Sequence, residues 1–519
     1  MPRFRDFAIL LFAPAACTTE RGSGSAPIVY YESYDPRSLD PALSTDVPTG
    51  EMVTLLYDGL TRFGADASLQ PALADRWSVD AAGMRYVFHL RPGVKFHDGS
   101  ALTPEAVRRS FLRVLDPKST GGRAWPLLPI DGASAYAAGA TDQVRGIEVL
   151  GDSSVALALT QPLAVFPKFL AMPVASIVGP VASGGDLALQ PNGTGPWRFA
   201  RWAHDDALRF ARNPGYWGGA PQADSLVVRI IPDQLVRAAE FESGRLDVVE
   251  VPFGETARWR ERHPAWLQQK PALRVTYIAL NTRRGALRDV RVRQAINHAV
   301  NVDQILATVW GGRGIRARGA IPPTLAGGDT TRPAFAYDPA RAKQLLAQAG
   351  HAGGLDLQLW RTADNETLGR VAQAVQSDLA AVGIRVEIVS RDAPSQREAA
   401  RAGNADMALL DWWADYPDGD NFLYPLFSSA SFGPGGNYAF YSDAVTDSLI
   451  LTARRTQDDA ARTALYHTID ERVYQAAPWL YLWFPVDLWA QSPSITGWDL
   501  PVIFNGQRWT AVRRASSRP

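Results

Sequence analysis

Between residues 355 and 413 the chain changes period four times. "LDLQLW" (355–360) alternates like a strand, "ETLGRVAQAVQSDLAAVG" carries a helical stripe, and "IRVEIVS" (384–390) is strand-like again. "SQREAARAG" then makes a short helix and "DMALLDWW" (406–413) a third strand. Strands joined through helices pair in parallel, with right-handed crossovers, and a sheet built so needs helices on its faces. The class is therefore α/β, and in such open sheets ligands bind beyond the carboxyl ends of the strands. One unusual stretch falls there. "DWWADYPDGDNFLYPLF" (411–427) sets Asp411, Asp415, Asp418 and Asp420 among aromatics with no Lys, Arg or His. Asp415 and Tyr416 follow directly on the strand, so these acids are expected to rim a cleft.

At 519 residues the chain exceeds one ordinary core, and two or three domains are expected. "MRYVFHL" reads as a half-buried strand and "HDG" as a tight turn. "LTPEAVRRSFLRVL" reads as a helix with Thr103 as N-cap and Pro104 in its first turn. "YDPARAKQLLAQAG" is a helix capped by Asp338 and stopped by Gly350. "DVRVRQAINHAVNVDQILATVW" has helical period throughout.

The amino terminus reads as a leader. "MPRFRDFAILLFAPAAC" has a basic start, an apolar run too short to span a bilayer, small residues, and the chain's single cysteine. Cys17 after small residues resembles a lipobox, whose thiol is acylated as the first mature residue; Pro14 departs from that pattern. Residues 18–27, "TTERGSGSAP", are polar and Gly/Ser-rich and are expected to be a flexible tether. The protein is expected to be exported, periplasmic or on the extracytoplasmic face of the membrane, and held there by a lipid anchor.

Charge and motifs exclude several classes. With 53 basic and 53 acidic residues, a nucleic-acid partner is not expected. The seven histidines make no i, i+4 pair and no HExxH, so no metal site is expected. No G-x-S-x-G elbow occurs, and the serines of "GDSS" (151–154) read as a turn. "DYPDGDN" fails the order of a calcium loop, and "WGGRG" lacks a phosphate-cradling pattern. No catalytic residue and no cofactor are expected, and sixteen tryptophans suit a protein that grips a ligand.

The ordered motifs resemble the family 5 extracytoplasmic solute-binding proteins of ABC importers, the oligopeptide/dipeptide/nickel group. "LDPA" (39–42), "LADRW…YVFHLRPGVKFHDGSALTPEAV", "GTGPWRFARW" (193–202), "RNPGYWGGAPQADSLVVRIIPD" (212–233), "SGRLDVV" (243–249), "YIALNTRRGALRDVRVRQAINHAVN" and "NYAFYSDAVTDSLI" (437–450) carry it. The resemblance implies a two-lobed clamp of the type II periplasmic-binding-protein fold with an extra inserted α+β domain. One lobe would comprise residues 28–55, 193–272 and 488–519, the insertion 56–192, and the second lobe 273–487. It also implies permease and ATPase partners, and the protein is expected to be monomeric. In peptide-binding relatives a "DWxxD" stretch supplies the grip: the second Asp accepts from the ligand's α-ammonium and the Trp lines the first pocket. Here these are Asp415 and Trp412, with Tyr416 beside them. Trp413 offers a further aromatic face, although strand alternation places it opposite Trp412 and toward the core. Asp411, Asp418 and Asp420 read as caps or solvated turn residues, and an internal ion pair from Asp415 to an arginine is the alternative to its ligand role. Oligopeptide binders carry a basic residue three positions before the Trp, facing the ligand's carboxylate; here that position is Leu409, and Arg361 is the substitute.

The expected function is capture of a peptide or similar amine-bearing solute for an ABC importer. The alternatives are a secreted hydrolase using Asp415 and Asp418, a peptide-sensing or chaperone module, and a binder of an opine, sugar derivative or metal chelate.

Overall fold

The computed structural model describes residues 26–119, 123–181, 185–363 and 365–515. The expected leader, Cys17 and residues 18–25 of the expected tether lie outside these residues.

Two sheets dominate. A four-stranded sheet runs in the order Ile28–Glu32, Ser225–Ile230, Ala207–Arg212, Trp197–Ala203, with the first pair parallel and the others antiparallel. An eight-stranded sheet has the central path Val248–Glu250, Trp479–Gln491, Arg274–Leu280, Met407–Trp413, Leu355–Thr362, Ile384–Arg391. A third sheet, antiparallel, joins Ala74–Val79, Arg85–Leu90, Ser154–Ala158 and Ile147–Leu150. The segment carrying it shares a core with the far side of the large sheet: Phe169 meets Tyr416 edge-on at 4.9 Å.

Local chemistry sets the elements much as the sequence implies. Thr103 Oγ1 accepts from the Ala106 amide at 3.2 Å and opens the helix Pro104–Leu115. Asp338 accepts from the Arg341 amide at 2.8 Å, and Gly350 ends that turn at φ 85°, where a Cβ would be strained. Strands 355–362 and 384–391 pair in parallel over eight residues, and 355–362 is parallel to 407–413 as well. Two expectations need correction. The last of these strands also pairs antiparallel with Arg274–Leu280 over seven residues, so the sheet is mixed. The helical stretch from 289 is two helices, Val290–Ala299 and Val302–Thr308, because Val300 is extended and the Asn301 side chain caps a new start at the Gln304 amide.

The strand Trp479–Gln491 joins the halves of the molecule. Trp479 to Trp483 pair with Arg274–Leu280, and Val486 to Ala490 pair with Leu267–Pro271. Pro485 stands where the partner changes: its carbonyl accepts from the Ala272 amide at 2.9 Å, and having no N–H it cannot return that bond. Asn297 pins the start of this strand: fully buried, it donates to the Trp479 carbonyl at 2.8 Å and accepts from the Tyr481 amide at 3.2 Å. Asn297→Ala should therefore cost about 2–4 kcal/mol, since a buried N–H and C=O lose their partners. Denaturant unfolding checks this, and a change within about 0.5 kcal/mol would refute the anchoring role.

Candidate functional site

A cavity of about 240 Å³ lies between the two main sheets. Tyr31, Glu32, Glu51, Arg237 and Glu250 form one wall; Arg274, Trp413 and Ala414 form the other; Asp487 and Trp489 of the shared strand contribute to both. Arg274 lies over the Trp413 ring at 4.2 Å from its centroid and donates to Asp487 at 3.3 Å. Arg313 reaches Glu250 at 3.3 Å.

Asp415 sits just past the strand's carboxyl end. Its amide donates to Asn421 Oδ1 at 3.0 Å, and Trp412 Nε1 donates to the same oxygen at 3.3 Å. Asn421 thus holds the carboxylate and the indole in fixed relation. The sequence led us to expect a carboxylate unpaired by the protein. Instead Arg123, 292 positions away, donates to Asp415 Oδ1 at 2.6 Å. The two side chains retain 28% and 24% of their exposure, so the pair stays open to water.

The neighbouring residues differ from expectation. Asp418 and Asp420 are not solvated but buried, 6% and 1% exposed. Asp418 does cap the Asp420 amide at 2.9 Å, and it also accepts from Lys168 Nζ at 2.5 Å and from the Tyr466 hydroxyl at 2.7 Å. Burial raises the Asp418 carboxyl, and Lys168 outweighs it, holding the group below the usual carboxylate range. Asp420 faces Arg454 at 3.4 Å and accepts from the Tyr416 hydroxyl at 2.7 Å. Tyr416, expected beside the ligand, is only 2% exposed, packed on Phe169 with its hydroxyl spent on Asp420. Trp413, expected in the core, is 48% exposed, because the strand ends there and its ring passes out over Arg274. Asp411 is exposed and accepts from the Thr276 hydroxyl at 2.5 Å. Arg361 stands one step beyond the pairing of Trp360 with Ala408, level with Leu409. Its guanidinium lies against Gly369, where a Cβ would come within 3.1 Å of it, and donates to the Thr362 carbonyl at 2.8 Å.

Sequence reasoning missed the acids of the cavity wall. Burial pushes the Glu51 carboxyl up to about 7, a hydrogen bond with Glu32 offsetting part of the rise. Glu32 is raised by burial and then by Glu51. A signal existed: Glu51 is the one charged residue in the helix "VPTGEMVTLL", and Glu32 closes an otherwise apolar strand.

Among known proteins, residues 68–434 match the family described as "Bacterial extracellular solute-binding proteins, family 5 Middle". The di/tripeptide-binding protein 2 of Pseudomonas aeruginosa is 35% identical over 514 residues, covering 95% of this chain and 96% of that protein. The dipeptide-binding protein of Escherichia coli is 31% identical over 485 residues, covering 90% and 91%. Among solved structures, the periplasmic binding protein DppA from Helicobacter pylori in complex with peptide STSA superposes with a TM-score of 0.79 at 29% identity, covering 94% of this chain and 98% of that one.

Two substitutions test these electrostatics. Lys168→Met leaves Asp418 buried without its cation and should cost about 3–5 kcal/mol in denaturant unfolding; unchanged stability would show the pair to be idle. The Glu32 and Glu51 carboxyls are raised above their unfolded value, so their contribution favours the fold at acid pH and is lost as pH rises, for Glu51 through about 7. Glu51→Gln should accordingly stabilise the ligand-free protein by about 1–3 kcal/mol at pH 8 and by much less at pH 5. An equal effect at both pH values would contradict the burial argument.

Proposed function

Because the chain belongs to the family 5 bacterial extracellular solute-binding proteins, we propose that it is the extracytoplasmic receptor of an ABC importer, holding a short peptide or similar amine-bearing solute between its lobes and delivering it to a permease driven by an ATPase. The relatives named above bind di- and tripeptides, which supports the solute class. The observation that carries the reading is the half-open pair of Asp415 and Arg123. A ligand ammonium entering there replaces one cation by another, so the carboxylate is never stripped bare as the cleft dries. The arginine, released from a separate segment of the chain, is exposed enough to return to water.

In this reading Asp415 takes the α-ammonium and Trp412 walls the first pocket. Trp413 offers an exposed face to the solute, and Arg361, level with Leu409, meets the carboxylate at the far end. Residues 28–55, 193–272 and 488–519 form one lobe, 273–487 the other, and 56–192 the insertion. The receptor acts as a monomer, tethered through acylated Cys17. The hydrolase alternative has little support: Asp418, its second carboxylate, is buried between Lys168 and Tyr466.

Calorimetric titration of residues 27–519, stripped of solute, tests this with di- to pentapeptides, each free and N-acetylated. Free peptides should bind, and N-acetylation or Asp415→Asn should weaken binding by roughly 100-fold or more, as expected for removing one partner of a desolvated charge pair. Arg123→Ala should leave binding intact or tighten it, because it removes a competitor. Binding insensitive to acetylation would refute the ammonium grip. Binding of no peptide would refute the peptide assignment and turn attention to opines, sugar derivatives and chelates.

A further inference from the structure

Two carboxylates in the cleft cavity, Glu32 and Glu51, have no ion-pair partner among the described residues. Glu250 and Asp487 are matched by Arg313 and Arg274, each at 3.3 Å. Arg237 is turned toward Ser33, donating to Oγ at 2.7 Å, with its guanidinium 4.7 Å from the Tyr31 ring centroid. Glu32 is 9% exposed and lines the cavity, and among the described residues no donor reaches its Oε1. Glu51 lines the same wall from an otherwise apolar helix. A buried carboxylate without a donor costs free energy that an entering cation recovers.

We propose that Glu32 and Glu51 form a subsite for a second positive charge on the solute, so that the preferred ligands are short peptides bearing a lysine or arginine side chain. This rests on the peptide reading above and narrows it. Three features of the cavity fix the chemistry. Glu32 Oε1 has no donor and neither acid has an ion-pair partner among the described residues, which suits an ammonium or guanidinium. The surrounding walls are aromatic: Tyr31 stacks on Trp489 at 5.7 Å, and the Trp413 face is exposed across the cavity. Such walls favour an organic cation. Among the described residues, no group of three His, Cys, Asp or Glu side chains converges to hold a metal ion. The volume, about 240 Å³, equals that of about eight waters at ~30 Å³ each, enough for a long side chain with some water left in place.

The same arrangement links binding to protons. Tyr30, Tyr31, Asp46, Arg237 and Glu250 act on Glu32 and its surroundings from one lobe, and Asp487 and Arg274 face the cavity from the shared strand and the other lobe. The acids outnumber the arginines, so burial keeps protons on the pair when the site is empty. An arriving ammonium favours the ionised form and drives a proton off.

The test is calorimetric titration of the wild-type mature protein with Ala-Lys, Ala-Arg, Ala-norleucine and Ala-Glu at pH 6, in two buffers of different ionisation enthalpy. Ala-Lys and Ala-Arg should bind about tenfold or more tightly than Ala-norleucine, the order of one well-placed charge contact, with Ala-Glu weakest. Proton release should accompany the basic peptides and not norleucine. Glu32→Gln and Glu51→Gln should each shrink the Ala-Lys to Ala-norleucine ratio. If Ala-norleucine binds as well as Ala-Lys, the subsite is refuted while the peptide reading stands. If the preference survives both substitutions, it resides elsewhere and the assignment is overturned. If no dipeptide binds, both readings fail together. The wild-type comparison and its proton count decide the matter even if a variant folds poorly.

Discussion

The hydrogen-bond ladder along Trp479–Gln491 is the constraint on which the rest of the molecule depends. One strand cannot slip by a residue without turning every side chain to the other face, and this one is registered on both halves at once. Its amino-terminal part builds the sheet that carries Asp415; its carboxyl-terminal part builds the floor beneath Tyr31 and Glu250. Asp487 and Trp489 therefore keep their place in the cavity whatever the walls do. The change of partner at Pro485 concentrates the junction in a few residues, with Ala272 donating to the Pro485 carbonyl at 2.9 Å. Two rigid halves on a short shared segment are what a clamp requires.

Four acids beside two tryptophans posed the question of what balances them. The answer lies at long range in sequence. Lys168 and Arg123 come from the segment that carries the third sheet, 250 and 292 positions from their partners. Exposure sorts the acids by role. Asp418 and Asp420 are sealed, each meeting a cation and a tyrosine hydroxyl, and they fasten one part of the chain to another. Asp415 shares the chemistry but not the burial. An ion pair left partly in water exchanges partners at small cost, whereas a sealed one does not. The same residue type thus serves as rivet in two places and, in the proposed reading, as grip in a third.

How much of this was legible in the sequence depended on how local the cause was. Caps such as Thr103 and Asp338 act within one helical turn, so their residues announce themselves. The parallel strands of 355–413 follow from periodicity alone. Helix 289–308 failed because Asn301 is polar at a position that period treats as neutral, while its side chain caps a new start. Tyr416 and Trp413 failed for a different reason. Both within two positions of Asp415, they take opposite fates because Phe169 covers one and the sheet edge frees the other. Burial by a residue as distant in sequence as Phe169 leaves no mark in the local pattern. Glu32 and Glu51 were the recoverable omission, since a lone acid in an apolar element is costly enough to need a reason.

A cleft of this kind trades stability for selectivity. The chain carries no formal net charge, so its overall field cannot steer cations from afar. Discrimination must arise at contact, where water has been displaced and each carboxylate is felt strongly. The empty site then holds acids that burial drives toward protonation, and that strain is relieved only by the right solute. Any ligand that binds the folded protein stabilises it by mass action. Here the gain is largest for the ligand whose charges fill the gaps the fold leaves. A better-packed empty cleft, with glutamines for Glu32 and Glu51, would be sturdier and less discerning. The strained carboxylates are therefore kept where selectivity is made, and the sealed pairs of Asp418 and Asp420 hold the frame against their cost.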